Sequence, residues 1–309
     1  MNIEANVPQS RSESRPIVHK TPTQTLYWSI RRELWENKSI YIAPLIAAGI
    51  MLFGFVLSTI GLPHRRRALL LLDPAQQRAH IERPYDMVAM ALFVTAFIVA
   101  VFYCLDALHG ERRDRSILFW KSLPVSDLTT VLSKASIPLV VLPLLVFAIA
   151  VVAQVDMMLL SSAILMANDL PPATPDQLPL FQNWMTLLYG LIATALWHSP
   201  IYGWLLLVSG WARRATFLWA VFPLLAVSGL ERMAFGTTHF MAMLQYRMVG
   251  AMSEAFVSPP QRGSHGVMTH LTQINPAKFL TRPGLWVGLA FAAAFLVAAV
   301  RLRRYREPI

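Results

Sequence analysis

The sequence ERRDRSILFWKSLPVSDLTTVLSK, residues 111–134, lies between two long apolar runs at 87–106 and 137–160. A helix needs about 20 apolar residues to cross a bilayer, so each of these runs predicts a membrane span. Residues 111–115 are all charged, and such side chains are too costly to place in lipid, so we expect the chain to enter water here. The stretch therefore predicts a helical membrane protein with a polar segment between two of its spans.

An apolar cluster, ILFW at residues 117–120, follows the charged residues directly. Leu123-Pro124 is expected to end the helix, because proline lacks an N–H donor and clashes with the preceding turn. Ser126 is a suitable N-cap for a new helix. An apolar cluster at a helical turn in water is suited to docking into a groove of a partner. The alternative is an ordinary interfacial loop whose basic residues lie near lipid headgroups.

The composition is that of a polytopic membrane protein, since 55% of the 309 residues are hydrophobic and only 14% are charged. The net charge is +10, but the Lys and Arg residues lie mainly beside apolar runs. Anionic lipid headgroups explain this charge better than nucleic acid does, so we expect lipids and no nucleic acid as partners. The single cysteine, Cys104, excludes a disulfide framework.

We predict an all-α protein with six transmembrane helices, an N-terminal interfacial elbow helix and a cytosolic coupling helix between the second and third spans. The predicted spans are 41–60, 87–106, 137–160, 184–210, 216–235 and 284–300, which together form a transmembrane domain over 41–309. The other predicted parts are a disordered cytosolic tail (1–20), an amphipathic elbow helix (21–40), a coupling loop (107–136) and an outer loop (236–283). A short helix at 67–80, ending before Arg83-Pro84, is expected in the linker after the first span.

The elbow helix is predicted from the spacing of its apolar residues. The apolar face consists of Leu26, Tyr27, Ile30, Leu34 and Trp35. The opposite face, which is expected to point to water, consists of Arg31, Arg32, Glu33, Glu36 and Lys38. A helix with these two faces lies along the membrane surface.

The orientation follows from the basic residues, which are enriched on the cytosolic side. With both termini cytosolic, 17 of the 27 Lys and Arg residues lie inside. The loop 161–183 contains none of them and is therefore placed outside, although the basic residues at 65–67 argue against this orientation.

Polar residues inside spans are costly, so they indicate function or helix contacts. Gln154 and Asp156 lie in the outer half of the third span, and His198 with Ser199 lies near the middle of the fourth. These four residues are candidates for a translocation path. The alternative is that His198 bonds a neighbouring helix and that Asp156 reaches water or pairs with Arg232.

The sequence contains no motif that indicates catalysis. It has no G-x-x-x-x-G-K-[ST] phosphate loop, no H-E-x-x-H zinc motif and no G-x-S-x-G turn. His265 and His270 share one loop, but two histidines without a third ligand are a weak metal signal. We therefore expect no catalytic residue, no metal and no cofactor.

Residues 111–134 resemble the cytosolic loop between the second and third membrane helices of ABC-2 type transporter permeases. That family has an E-R-x-x-x-S run, then an SLP(V/I)S turn and a lysine-containing helix. The matching residues are Glu111, Arg112, Ser116, Ser122, Leu123, Pro124, Val125, Ser126 and Lys134. RRELWENKS at 31–39, before an apolar run with an early proline, is similar to the N-terminus of the same family.

The resemblance implies that the chain is the membrane subunit of a bacterial ABC-2 exporter in the plasma (inner) membrane. The implied partners are a separate ATPase subunit, which hydrolyses the ATP, and a second permease chain that is identical or paralogous. The residues assigned to ATPase coupling are Glu111, Arg112, Ser116, Phe119, Trp120, Leu123, Pro124 and Ser126. Two alternatives remain, an integral-membrane lipid-modifying enzyme and an ATP-independent carrier or scaffold. The motif does not name the substrate.

Overall fold

The computed structural model describes residues 22–114, 125–256 and 274–305. Within these ranges the chain is all-helical, and its only β-type pairing is an isolated antiparallel bridge between Phe256 and Ile274. The N-terminal part contains α1 (Pro22–Glu36), α2 (Ser39–Thr59), α3 (Leu62–Leu69), α4 (Pro74–Asp106), α5 (His109–Arg113), α6 (Asp127–Ser136), a π-helical turn (Ile137–Val141) and α7 (Leu142–Met166). The C-terminal part contains α8 (Leu180–Trp211), α9 (Thr216–Phe235), α10 (His239–Val249), α11 (Ala251–Ala255), α12 (Pro276–Leu280) and α13 (Pro283–Tyr305).

Among the described residues, six helical runs are long and apolar enough to cross a membrane. They are α2, α4 with α5, α6 with the π-helical turn and α7, α8, α9, and α13. The prediction of an all-helical chain with six spans is therefore confirmed at this level. The fifth span was predicted with the bounds that α9 has.

The second span differs from its prediction, because α4 begins at Pro74 rather than near 87 and continues through Pro84. The predicted helix at 67–80 is therefore wrong, and α3 ends at Leu69. The early start is stabilised by Asp73, whose carboxylate accepts a hydrogen bond of 3.2 Å from the Ala75 amide. Pro84 is tolerated because the carbonyl it would leave unpaired belongs to His80, on an exposed turn where water can satisfy it.

The third span also begins earlier than predicted, since α6, the π-helical turn and α7 form one continuous helix. Pro138 and Pro143 interrupt the regular hydrogen bonds of this helix. The π-helical turn absorbs the interruption, and in it the Leu142 amide donates to the Ile137 carbonyl. The helix therefore runs from the polar stretch into the membrane without a break.

The fourth span, α8, is the centre of the bundle, with 67% of its apolar window buried against 6% for α9. It packs against α4, α7 and α13. Gly203 allows the close approach of α13, because an added Cβ there would lie 3.2 Å from the Ala292 carbonyl oxygen. The interior of the bundle is therefore formed largely around α8.

The segment after the fifth span belongs to the stretch 236–283 that was predicted as an outer loop. Its first part forms two helices, α10 and α11, with a break at Gly250. The Glu231 carboxylate stabilises the start of α10, because it accepts hydrogen bonds of 2.8 and 2.9 Å from the amides of His239 and Phe240. The Arg247 guanidinium holds α10 against α13 and α8, where it donates to the Gly284 carbonyl at 2.9 Å and lies 4.4 Å from the Trp197 ring centroid.

Candidate functional site

Helix α1 places Glu33 in the interior, which corrects the prediction that this residue faces water. Its side chain is 0% exposed. The carboxylate accepts hydrogen bonds of 2.9 and 3.1 Å from the Lys134 ammonium on α6 and one of 2.9 Å from the Tyr103 hydroxyl on α4. Glu33 lies on the face of α1 that packs against α6, because it is seven residues after Leu26 and three after Ile30.

Lys134 joins two carboxylates that are far apart in the sequence. Its ammonium lies 2.9 Å from Glu33 Oε1 and 3.1 Å from Glu111 Oε1, and its side chain is 3% exposed. Arg32 lies on the other side of the same two carboxylates, at 2.8 Å from Glu33 and 3.3 Å from Glu111. The last turn of α6, where Lys134 lies, and the segment α5 are therefore both tied to α1.

The last helix joins this group through Arg303. Its guanidinium forms a short ion pair with Glu111 Oε2 and a second one with Asp127 Oδ1 at 3.0 Å. We call the set of these side chains the ionic cluster. Its members are Arg32, Glu33, Glu111, Asp127, Lys134 and Arg303.

The ionic cluster as defined contains three acidic and three basic side chains, so its charges balance. Burial alone would raise the pKa of the Glu33 carboxyl, but the charge and hydrogen bonds of Lys134, with those of Arg32, hold that pKa below its usual value. Glu33 is therefore ionised at neutral pH. Each buried charge in the cluster has an opposite charge in contact with it, which is the arrangement that makes buried charges tolerable.

Arg112 is buried next to the ionic cluster but has a different role. It donates to the carbonyls of Gly210 and Ala212 at 2.9 and 3.2 Å, at the C-terminus of α8. These carbonyls lack helical donors and carry the negative end of the helix dipole, so a cation is favourable there. Ser209 completes the junction, since its hydroxyl accepts hydrogen bonds of 3.0 and 2.9 Å from the amides of Leu108 and His109.

The expectation that all the charges at 111–115 lie in water is therefore only partly correct. Glu111 and Arg112 are buried in contacts with α13 and α8, while Arg113 and Asp114 have exposed side chains. The sequence did not reveal this difference because the partners, Arg303 and the end of α8, follow much later in the chain.

The predicted coupling residues are divided between described and undescribed parts of the chain. Ser126 caps α6 as predicted, with its hydroxyl accepting a 3.1 Å hydrogen bond from the Thr129 amide. Glu111 and Arg112 are buried in the contacts described above. The remaining predicted coupling residues lie outside the described residues; they are Ser116, Phe119, Trp120, Leu123 and Pro124.

The candidate path residues are not brought together. Gln154 bridges two helices, with its amide donating to the Tyr85 carbonyl at 3.1 Å and its oxygen accepting from the Trp184 indole at 2.8 Å. His198 lies 14 residues after Trp184 in α8, which is about 20 Å along the helix axis. Its Nε2 bonds the Met248 carbonyl at 3.0 Å, so the expected contact with a neighbouring segment is present.

The other two path residues differ in exposure. Ser199 is buried beside His198, whereas Asp156 is exposed on α7. The ion pairs of the described residues do not include the expected pair of Asp156 with Arg232. Within the described ranges no three His, Cys, Asp or Glu side chains are grouped closely enough to hold a metal ion, and His265 and His270 lie outside these ranges.

The fold and this site define a helical protein of the multi-pass membrane class, in which the first and last helices and the segments on both sides of residues 115–124 are joined by buried ion pairs. Comparison of the chain with models of protein families, with curated proteins and with solved structures gives no match.

Proposed function

We propose that this chain is the permease subunit of an ABC-2 type exporter in the bacterial inner membrane, with both termini in the cytosol. In this proposal a separate ATPase subunit docks on residues 115–124, and a second permease chain completes the translocation path. ATP binding and hydrolysis on the ATPase then move this segment and change the access of the path from inside to outside.

The ionic cluster is the observation that carries the proposal. Residues 115–124 lie between α5 and α6, and both flanking helices contribute side chains to the cluster through Glu111, Asp127 and Lys134. The same cluster holds α1 through Glu33 and the end of α13 through Arg303. A force applied to the segment would therefore act on the first helix, the last helix and the third span together.

Ion pairs suit this role better than an apolar seam would. Replacing a buried ion pair by well-packed apolar residues is often neutral or stabilising, so stability alone gives little reason to keep charges here. Ion pairs have defined partners and directions, whereas apolar surfaces can slide over one another. The cluster thus favours a movement in which α1, α5, α6 and the end of α13 keep their relative positions.

The exposed face of α1 supports its assignment as an interfacial elbow helix. Tyr27, Trp28 and Trp35 have exposed side chains, and the Arg31 guanidinium lies 5.2 Å from the Trp28 ring centroid and 4.6 Å from that of Trp35. Aromatic rings combined with a cation are typical of residues at the boundary between lipid and water. In this proposal the ionic cluster, which includes Arg32 and Glu33 of α1, lies at the same boundary.

Co-expression with candidate ABC ATPase subunits of the same organism tests the proposal. The Leu123→Asp and Trp120→Asp variants are expected to lose the co-purified ATPase while their thermal unfolding in detergent stays unchanged. Leu71→Asp is the matched control, because Leu71 is 89% exposed and lies in the linker between α3 and α4, which the proposed topology places outside the cell. Its complex should form normally.

Measuring both ATPase binding and ATP hydrolysis separates docking of the ATPase from transmission of its movement. A chain with both Lys134→Met and Glu33→Gln keeps the charges of the cluster balanced and should still bind the ATPase, since both residues are buried, but should no longer raise its rate of ATP hydrolysis in nanodiscs. If the wild-type chain never binds the ATPase, or if both aspartate variants bind it normally, the exporter proposal fails. The carrier or scaffold alternative would then be favoured.

A further inference from the structure

A small, partly open cavity lies between α4, the π-helical turn with the start of α7, and the middle of α8. Most of its wall is apolar and includes Phe93, Phe97, Leu142 and Leu191. No charged side chain is among its lining residues. An apolar cavity of this kind would normally stay dry.

Three buried side chains of α8 that line the cavity, Thr194, His198 and Tyr202, carry polar atoms. Thr194 and His198 both line the cavity and are 7% and 4% exposed. Neither Thr194 Oγ1 nor His198 Nδ1 has a hydrogen-bond partner in the part of the chain that the structure describes. Because the two residues are four apart in a helix, their side chains lie on the same face.

The hydrogen bond on the other side of the imidazole fixes what His198 offers to the cavity. Its Nε2 lies 3.0 Å from the Met248 carbonyl, and a carbonyl can only accept. Nε2 therefore carries the proton, and in a neutral imidazole Nδ1 is then an acceptor. A hydroxyl such as that of Thr194 can both donate and accept. A ligand group that donates a hydrogen bond to His198 Nδ1 and accepts one from the Thr194 hydroxyl would therefore satisfy both side chains.

The π-helical turn borders the same cavity. Pro138 is one of the lining residues, and the helical pattern around it leaves its carbonyl without the usual donors. The amide four residues later, Leu142, donates to Ile137 instead, and the residue five later is Pro143, which has no N–H. A buried carbonyl without a donor is unfavourable by an amount comparable to a lost hydrogen bond.

The size of the cavity decides which ligand fits. Its volume is about 30 Å³. One water needs about 10–15 Å³ in this measure, while a cavity that admits benzene has about 150 Å³. This volume accepts about two waters.

We propose that this cavity is a water-binding site within the membrane-spanning bundle, in which one or two waters bridge His198 Nδ1, Thr194 Oγ1 and the Pro138 carbonyl. A bound water donates to Nδ1 and to the carbonyl and accepts from the threonine hydroxyl. The site links α8 to the π-helical turn, only a few residues beyond Lys134. It does not depend on the proposed exporter function.

Water-edited solid-state NMR on the full-length chain in lipid bilayers tests the site directly. Magnetisation from water is expected to reach the ¹⁵N signal of His198 as fast as it reaches that of the exposed His239. The internal control is the indole N–H of Trp204, which donates to the Ala220 carbonyl at 3.0 Å and should receive magnetisation slowly. A His198 build-up as slow as that of Trp204 would overturn the proposal.

Two variants extend the test to the bridging groups. Thr194→Val keeps the side-chain size but removes one partner, so the build-up at His198 should slow several-fold. Ala195→Val narrows the cavity and should abolish the fast build-up, whereas Ala293→Val, at an exposed position in α13, should leave it unchanged. If either variant fails to fold, the rate at which water magnetisation reaches His198 in the wild-type chain alone decides whether the site holds water. Fast build-up that persists in both cavity variants would show that the water lies elsewhere and would contradict the assigned site.

Discussion

Replacing Lys134 by methionine is expected to destabilise the protein strongly. Methionine has nearly the same length but no charge, so the change removes contacts of 2.9 Å to Glu33 and 3.1 Å to Glu111 without opening a large cavity. The ionic cluster is then left with three carboxylates and two cations. Removing one partner of a buried ion pair costs about 3–5 kcal/mol, mostly because the remaining charge stays buried and uncompensated.

The loss can be measured as a shift in the thermal unfolding midpoint. At roughly 2–4 °C per kcal/mol, the value for domains of 150–250 residues, this destabilisation lowers Tm by about 6–20 °C. Intrinsic fluorescence in detergent is a suitable signal, because the chain contains nine tryptophans. The control is Arg113→Gln, which removes an exposed ion pair with Asp114 and should leave Tm unchanged.

A charge-balanced double variant tests whether the loss is due to the uncompensated charge. Adding Glu33→Gln to Lys134→Met restores equal numbers of positive and negative charges in the cluster, so more than half of the lost Tm should return. The reasoning is refuted if Lys134→Met unfolds at the wild-type temperature. It is also refuted if the double variant loses as much as the two single variants together, since the residues would then act independently.

Three further predictions concern Glu33, Gln154 and Ser126. Because the pKa of Glu33 is lowered in the folded state, its contribution to stability is complete above the unfolded value of about 4.3 and is lost as pH falls through the folded pKa. Glu33→Gln should therefore remove this part of the acid dependence of Tm. An acid dependence that is the same in the variant and the wild type would contradict this prediction. Gln154→Leu leaves the Trp184 indole without its acceptor, so a loss of about 1–3 kcal/mol is expected in chemical denaturation. Ser126→Ala removes the cap of α6 and should cost about 1 kcal/mol, with Ser126→Asp restoring most of it.

The spans were predictable because their signal is local. A run of about 20 apolar residues identifies a membrane helix without any knowledge of its neighbours. The ends of the helices were less predictable, since they depend on individual contacts. Pro84 was taken as a helix end, but the Asp73 cap starts α4 well before it. The π-helical turn at Pro138 and Pro143 likewise depends on a register shift that residue periodicity does not encode.

The ionic cluster could not be predicted because its partners are distant in the sequence. Lys134 and Glu33 are 101 residues apart, and Arg303 and Glu111 are 192 residues apart. Glu33 was assigned to the water-facing side of α1 because a charged residue is placed there by default. Its position seven residues after Leu26 and three after Ile30 already placed it on the apolar face, and this was the one local sign of a buried charge.

The location of the ionic cluster argues for a mechanical role rather than a purely stabilising one. If stability were its only role, apolar side chains of similar size would serve equally well at Glu33 and Lys134. The cluster instead joins four helical segments, α1, α5, α6 and the end of α13, and α5 and α6 are the segments on either side of residues 115–124 in the sequence. The charge-balanced double variant separates the two roles, because it restores the charge balance but not the direct link between α1 and α6. A double variant that recovers its stability and still fails to stimulate the ATPase would show that the link itself transmits the movement.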